Sequence, residues 1–178
     1  MAGELAPRLD ELTRLAREDP AAAHQAVQET GLDTGMQAEL AALMLGAALA
    51  ALDDYEAFVR SRITEPAPAA AGDPETDRRR WLGIAIGKLE TARHILSEAA
   101  LALDRETELW VLSRQAARLA YTTVQDLLVP AGGSGTDSQR LDASLDLMVT
   151  LWGHPAGADE DQALRRLAAE RLQAGALE

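Results

Sequence analysis

Cysteine is absent from this chain of 178 residues, and aromatic residues make up only 3% of it. The absence of cysteine excludes disulfide bonds and thiolate metal sites. Residues that favour β-strands are also sparse, whereas alanine and leucine supply most of the 47% hydrophobic content. Because alanine and leucine are strong helix formers, the composition favours an all-α protein.

Positive charge is scarce as well, since the formal net charge is −12 and the isoelectric point is near 4.7. Phosphates and anionic lipids attract basic surfaces, so this balance disfavours direct binding to nucleic acid or to a membrane surface. The beginning of the chain, MAGELAPRLDEL, lacks the apolar core of a signal peptide. No run approaches the roughly 18 uncharged apolar residues of a membrane span. We therefore expect a cytoplasmic protein.

Hydrophobic periodicity predicts helices along most of the chain. We expect helices over residues 4–17, 20–31, 35–63, 74–103 and 106–129. A further helix follows a cap at 136–139 and ends at about 152, and the final helix ends at about 174. Asp19-Pro20 and Asp73-Pro74 have the form of an N-cap followed by a proline in the first helical turn. Asp104 either separates two helices or lies within one very long helix.

Wide apolar faces on the long helices predict how these helices pack. Leucine and alanine recur at three- and four-residue spacing from Leu82 to Leu103, and such faces are buried when helices pack together. We predict an all-α fold, an antiparallel helical bundle of three to four long helices covered by two or three shorter ones. We expect a single helical domain over residues 1–178, in which 64–76 is a connector that either crosses one end of the bundle or is mobile.

The segment GIAIGKLETARH, residues 83–94, places Gly83, Gly87, Glu90 and His94 along one strip of its helix, opposite the leucine stripe. Each glycine inside a helix costs roughly 0.8–1 kcal/mol relative to alanine, which suggests that another backbone or a flat ligand lies close. Three interpretations are open: an exposed face with a weak Glu90–His94 pair, close packing in a second helix layer or a homodimer, and a chemical site. Gly83 and Gly87 are candidate interface residues, and Glu90 and His94 are candidate catalytic residues.

Glu56 occupies a position of the apolar stripe in the segment LDDYEAFVRSRI, residues 52–63. A buried carboxylate must be paired or protonated, and Arg60, one helical turn later, is a candidate partner. Glu56 is then a further candidate catalytic residue. Alternatively, the stripe rotates to use Tyr55 and Phe58, which leaves Glu56 at the rim.

Tyr121, Trp110 and Arg114 fall on one side of the helix over 106–129, and Ser113 lies within its core stripe. Polar groups inside a bundle need hydrogen-bond partners, and a ligand pocket between helices is one source of them. Trp110, Ser113 and Arg114 are thus candidate ligand-binding residues, and Tyr121 is a candidate catalytic residue. A serine inside a helix also commonly donates to the carbonyl four residues earlier.

The sequence contains no strong catalytic, metal-binding or cofactor-binding motif. Di-iron helical bundles use paired Glu-x-x-His motifs, whereas Glu90 and His94 are separated by three residues and the pattern occurs once. The remaining histidines, His24 and His154, complete no zinc-binding spacing. We therefore predict no metal and no cofactor.

Two functions are compatible with these patterns. The first is a non-catalytic helical module that acts through protein–protein contact, either by self-association as a homodimer or homo-oligomer or by binding a protein partner. The second is a small-molecule enzyme or ligand-binding bundle that uses Glu, His, Tyr and Arg side chains in a pocket between helices. A direct transcriptional regulator is less favoured because no basic recognition helix is visible.

Overall fold

The computed structural model of the protein describes residues 2–30, 37–62, 74–102, 105–131, 139–153 and 160–175. These residues form seven helices, and none of them lies in a β-strand. In chain order the helices are α1 Ala2–Glu18, α2 Pro20–Thr30, α3 Gln37–Arg62, α4 Pro74–Leu101, α5 Glu106–Ala131, α6 Gln139–Trp152 and α7 Glu160–Gly175. The predicted all-α bundle is confirmed.

The beginning of α2 follows the signal read from the sequence. The Asp19 carboxylate accepts a hydrogen bond from the amide nitrogen of Ala22 at 2.9 Å, and Pro20 is the first residue of α2. This arrangement satisfies one of the free amide groups at the helix start. α4 likewise begins at Pro74, so residues 74–76 of the expected connector 64–76 belong to this helix, and residues 64–73 lie outside the described residues.

The central helix of the bundle is α3, which contacts α1, α4, α5 and α6. From Ala38 to Leu52 its residues are buried on every side, apart from Leu49, which is partly buried. A helix that is apolar all round is stable when neighbours cover all of its faces, which explains why α3 lies inside. No helix among the described residues, α3 included, is long and apolar enough to cross a membrane.

α1 crosses α3 at Gly46, where the two backbones come close together. A Cβ atom added to Gly46 would overlap the backbone oxygen of Thr13 and lie 2.8 Å from the Cβ atom of Ala16. The Thr13 hydroxyl also donates to the carbonyl oxygen of Ala42 at 3.2 Å. Gly46 is therefore required by this close approach of two helices.

Charged side chains attach α1 and α6 to the central helix. Arg8 of α1 pairs with the largely buried Glu39 at the beginning of α3, and the hydrogen bond raises the pKa of Arg8. Arg17, near the end of α1, makes two hydrogen bonds to Asp53, at 2.8 and 2.9 Å. Arg140 of α6 lies 3.6 Å from the same carboxylate. Three helices are thus held together at Asp53.

α4 and α5 form an antiparallel pair beside α3. Their link is short, since α4 ends at Leu101 and α5 begins at Glu106. α4 and α5 are therefore two separate helices and not one very long helix, and Asp104 itself lies outside the described residues. Lys88 of α4 donates a hydrogen bond to Asp126 of α5 at 2.5 Å. This charged contact adds to the apolar packing between the two helices.

The two remaining helices cover the sides of the bundle. α6 packs on α2 and α3, and the His24 ring nitrogen Nε2 lies 3.0 Å from the Thr150 hydroxyl. α7 lies mainly on α5, where the buried Thr107 hydroxyl donates to Glu170 at 3.0 Å. Leu172 of α7 is 76% exposed, so α7 is the more peripheral of the two.

Candidate functional site

The outer face of α4, formed by Gly83, Gly87, Glu90 and His94, is exposed along its whole length. It lies opposite the buried side of the helix, which includes Leu89. A Cβ atom added to Gly83 or Gly87 would meet no heavy atom within 4 Å, and no hydrogen bond joins Glu90 to His94. Packing within the described part of the chain therefore does not account for the two glycines.

Large apolar side chains border the outer face of α4. Ile84 is 37% exposed, and Ile86 is 44% exposed. At about 100° per residue, Ile84 and Ile86 lie on opposite sides of the two glycines. The face thus combines a helix backbone that is open to close approach with exposed isoleucines on both flanks.

A cleft of about 550 Å³ lies between α1 and α4, with α3 beneath it. Six leucines line its apolar floor and sides: Leu9, Leu45, Leu49, Leu89, Leu96 and Leu101. Charged side chains of α1 and α4 also line it: Asp10, Arg14, Arg17, Glu90 and Arg93. This volume is in the range of small-molecule sites, which are typically apolar with a few polar groups.

Two of the three arginines of the cleft already have partners. Arg14 lies 2.8 Å from Glu18, and the hydrogen bonds from Arg17 to Asp53 raise the pKa of Arg17. The charged residues of the cleft that form no ion pair with any described residue are Asp10, Glu90 and Arg93. These groups carry both signs of charge, so the cleft does not select a ligand of one sign.

Glu56 lies at the rim of α3 and not in the core. Its side chain is 35% exposed, and its carboxylate accepts a hydrogen bond from Arg60 at 2.5 Å. Tyr55 is buried and Phe58 packs against the core, so the structure has the rotated stripe. An exposed pair of this kind contributes only about 0.3–0.5 kcal/mol.

The state of the Tyr55 hydroxyl was not predictable from the sequence pattern. Tyr55 is 3% exposed, and its oxygen has no hydrogen-bond partner among the described residues. Burial raises the pKa of this phenol because it disfavours the phenolate, while the positive charge of Arg78 acts in the opposite direction. Tyr55 is therefore a neutral core residue at ordinary pH.

Arg114 and Tyr121 contact a tryptophan of the same chain. Trp152, at the end of α6, stacks on Tyr121 with ring centroids 4.5 Å apart and an angle of 7° between the rings. The guanidinium carbon of Arg114 lies 3.9 Å from the centroid of the Trp152 ring. These two candidate residues thus bind α6 to α5, and aromatic and cation–π contacts of this kind each contribute about 0.5–2 kcal/mol.

The other α5 candidates also have structural roles or no contact with the cleft. Ser113 is 1% exposed and donates to the backbone oxygen of Leu109 at 2.7 Å. This is the bond to the carbonyl four residues earlier that we expected as the alternative to ligand binding. Trp110 is partly buried. Of the candidate catalytic residues, only Glu90 lines the cleft, so the candidates do not come together in a single site.

Asp53 and Asp54, adjacent acidic residues on the central helix, are neutralised by arginines from other helices. Arg140 lies 3.4 Å from Asp54 and also donates to the backbone oxygen of Arg17. The acidic pair is visible in the sequence, but its partners are 36 and 86 residues away along the chain. The network holds α1, α3 and α6 together and leaves neither carboxylate free for other chemistry.

Metal ligands do not cluster in the described ranges, where no group of three or more His, Asp or Glu side chains could hold an ion. His24 contacts Gln28 as well as Thr150, each at 3.0 Å. His94 lies on the exposed outer face of α4, and His154 is outside the described residues.

Comparison with known proteins shows a shared fold and no family. No protein-family model matches the chain, and no curated protein matches it in sequence. The bundle is similar to part of the crystal structure of 3-HSA hydroxylase from Rhodococcus sp. RHA1, with a TM-score of 0.62 and 16% sequence identity. The match covers 77% of this chain and 38% of the hydroxylase chain. At this identity the likeness shows the helical fold alone.

Proposed function

We propose that this protein is a non-catalytic protein–protein interaction module that self-associates through the outer face of α4. The observation that carries the proposal is the open space over Gly83 and Gly87, with nothing within 4 Å of an added Cβ atom at either residue. Because neither glycine is needed for packing within the described bundle, a second helix backbone is the partner that would make use of them.

The two glycines weaken the isolated helix, and burial of the flanking isoleucines in a contact offsets that loss. Each glycine destabilises a helix interior by roughly 0.8–1 kcal/mol relative to alanine. The exposed fractions of Ile84 and Ile86 leave apolar surface whose burial stabilises a contact by about 25 cal/mol per Å². Small residues let two helix backbones approach closely, so that the flanking isoleucines pack against the partner.

The proposed setting is the cytoplasm, and the partner is a second copy of this chain. The net charge of −12 does not favour nucleic acid or an anionic membrane as a direct partner. No metal or cofactor is required by a contact of this kind.

Sedimentation analysis over a range of protein concentrations tests the proposal with the variant Gly87→Glu. The new side chain has open space in the isolated subunit, so the variant should fold normally but remain monomeric where the original chain dimerises. Gln125→Glu changes the charge by the same amount on the exposed part of α5 and should leave association unchanged. A chain that is monomeric throughout, or two variants that associate equally well, would contradict the proposal.

A ligand-binding bundle is the second candidate, because the leucine-floored cleft has a suitable volume of about 550 Å³. Glu90 is the candidate catalytic or anchoring residue that this cleft contains. The same sedimentation experiment separates the two functions, since a ligand-binding monomer would not respond to Gly87→Glu by a change in molecular mass.

A further inference from the structure

We propose that two copies pack α4 against α4 in antiparallel orientation, with Arg80 of each subunit opposite the partner subunit's Glu90. This inference rests on the proposed self-association and adds the orientation and register of the two helices. It follows from the positions of charged residues around the outer face of α4.

Arg80 and Glu90 are placed symmetrically about the two glycines. Each is about 7.5 Å along the helix axis from Ala85, which is midway between Gly83 and Gly87. Around the helix, Arg80 lies about 40° to one side of the line through the glycines and Glu90 about 40° to the other side. Both side chains are exposed, and neither forms a hydrogen bond or ion pair with a described residue. Both are therefore available to a second subunit.

An antiparallel two-fold pair centred at Ala85 brings unlike charges together. Arg80 then lies at the same level as the partner subunit's Glu90, and the reverse pair forms at the other end of the contact. At an interaxial distance of about 8 Å, their Cβ atoms are roughly 5–6 Å apart for helices that cross at a small angle. That separation is well within reach of an arginine–carboxylate pair.

A parallel pair with the same faces in contact has the opposite electrostatics. Two-fold symmetry along the helix direction places Arg80 against the partner subunit's Arg80, and Glu90 against the partner subunit's Glu90. Like charges at such a separation repel each other and suppress the wrong arrangement. Charge complementarity thus favours the antiparallel orientation.

A second charged pair has the same symmetry. Asp77 and Arg93 are exposed and lie equally far from Ala85 in opposite directions, about 12 Å along the axis. Antiparallel packing places each level with the other residue of the partner. They are farther to the side of the contact than Arg80 and Glu90, so we expect them to contribute less.

Charge reversal in single and double variants tests the register. Arg80→Glu and Glu90→Arg should each weaken dimerisation about tenfold, because each change turns two attractive contacts per dimer into repulsive ones. The double variant should return to within about threefold of the original affinity, because it restores both pairs in reversed polarity. Sedimentation equilibrium measures the dissociation constants.

The single variants control for the overall charge of the subunit. Arg80→Glu makes each subunit more negative and Glu90→Arg makes it less negative, whereas the double variant keeps the net charge of −12. If net charge alone governed association, the two single variants would change affinity in opposite directions, which would overturn the register.

Failure of the register can be distinguished from failure of the proposed function. A dimer that is disrupted by Gly87→Glu but is insensitive to both charge reversals keeps the interface and overturns the antiparallel register. A chain that is monomeric before any substitution overturns both proposals.

Discussion

At the residue scale, the most informative side chain for stability is Tyr55, a buried phenol whose oxygen has no partner among the described residues. Burying a hydroxyl without a hydrogen bond is unfavourable by roughly 1–3 kcal/mol on scales derived from protein mutations. The ring itself contributes apolar contacts to the core beside Phe58. The unpaired hydroxyl therefore lowers the stability of the fold, whereas the ring that carries it raises it.

Replacement of Tyr55 by phenylalanine should not destabilise the fold at neutral pH and should protect it at alkaline pH. Because burial raises the pKa of Tyr55 above its usual value, the unfolded chain loses this proton first as the pH rises. Stability is thus constant with respect to this group below about pH 10 and falls above it. The Tyr55→Phe variant lacks this loss.

Urea unfolding followed by circular dichroism at neutral pH and at about one pH unit above the usual tyrosine pKa measures this difference. We expect the gap between variant and original chain to widen at the higher pH. A variant that is clearly less stable at neutral pH would show that the hydroxyl has a partner.

Single residues also show what the sequence could and could not predict. Helical periodicity, a local property, placed Gly83, Gly87, Glu90 and His94 opposite the leucine stripe but left open whether a second helix layer covers them. The role of Gly46 could not be predicted in this way, because a glycine is needed there to make room for the backbone of Thr13, which belongs to another helix. Periodicity assigns a residue to a face but does not name the neighbour on that face.

At the element scale, the α1–α3 crossing depends on the absence of a side chain at Gly46. Gly46→Ala should lower the free energy of unfolding by about 1–3 kcal/mol, because the added methyl group forces the helices apart. Thermal or urea unfolding measures this loss.

Gly87→Ala is the matched control for the crossing. In the monomeric subunit, at protein concentrations too low for association, the same change in an open position of α4 should raise stability by up to about 1 kcal/mol through helix propensity alone. Equal effects of the two substitutions would show that α1 does not approach α3 as closely as described.

The existence of the helices was predictable, but the position of α3 was not. The caps, prolines and apolar spacing identify each helix locally, and α2 and α4 begin at the predicted prolines. For α3 we expected one apolar stripe, whereas residues 38–52 are covered on nearly all sides. The small alanines between the leucines were the available signal, since a helix without a polar face belongs in the interior.

Contacts between distant elements were the least predictable. Arg114 and Tyr121 were recognisable as neighbours on one side of α5 because they share a helix face. That Trp152 lies against both of them depends on how α6 is placed, and no local pattern contains this information. The same holds for Arg140, whose partners come from α1 and α3.

At the scale of the whole molecule, the bundle is organised in shells around α3. This helix contacts four others extensively, whereas α7 lies mainly on α5 and exposes Leu164 and Leu172. Elements with few buried contacts open locally at lower free energy than elements in the core. The molecule therefore has a gradient of local stability from its centre to α7.

Hydrogen exchange should follow this gradient. We expect the amides of α3 between residues 38 and 52 to exchange most slowly and those of α7 to exchange fastest among the helices. Mass spectrometry of peptides from a labelling time course measures the order. Protection of α7 equal to that of α3 would mean that α7 is covered by a surface outside the described bundle.

The alanine-rich surface of α3 has a consequence for how such a molecule can evolve. Ala41, Ala47 and Ala48 are fully enclosed, so enlarging any of them pushes against a neighbour. Adaptation to new partners can proceed on the outer helices, where substitutions find space. In the central helix α3, by contrast, a larger residue is accepted only when a residue of a neighbouring helix becomes smaller at the same time.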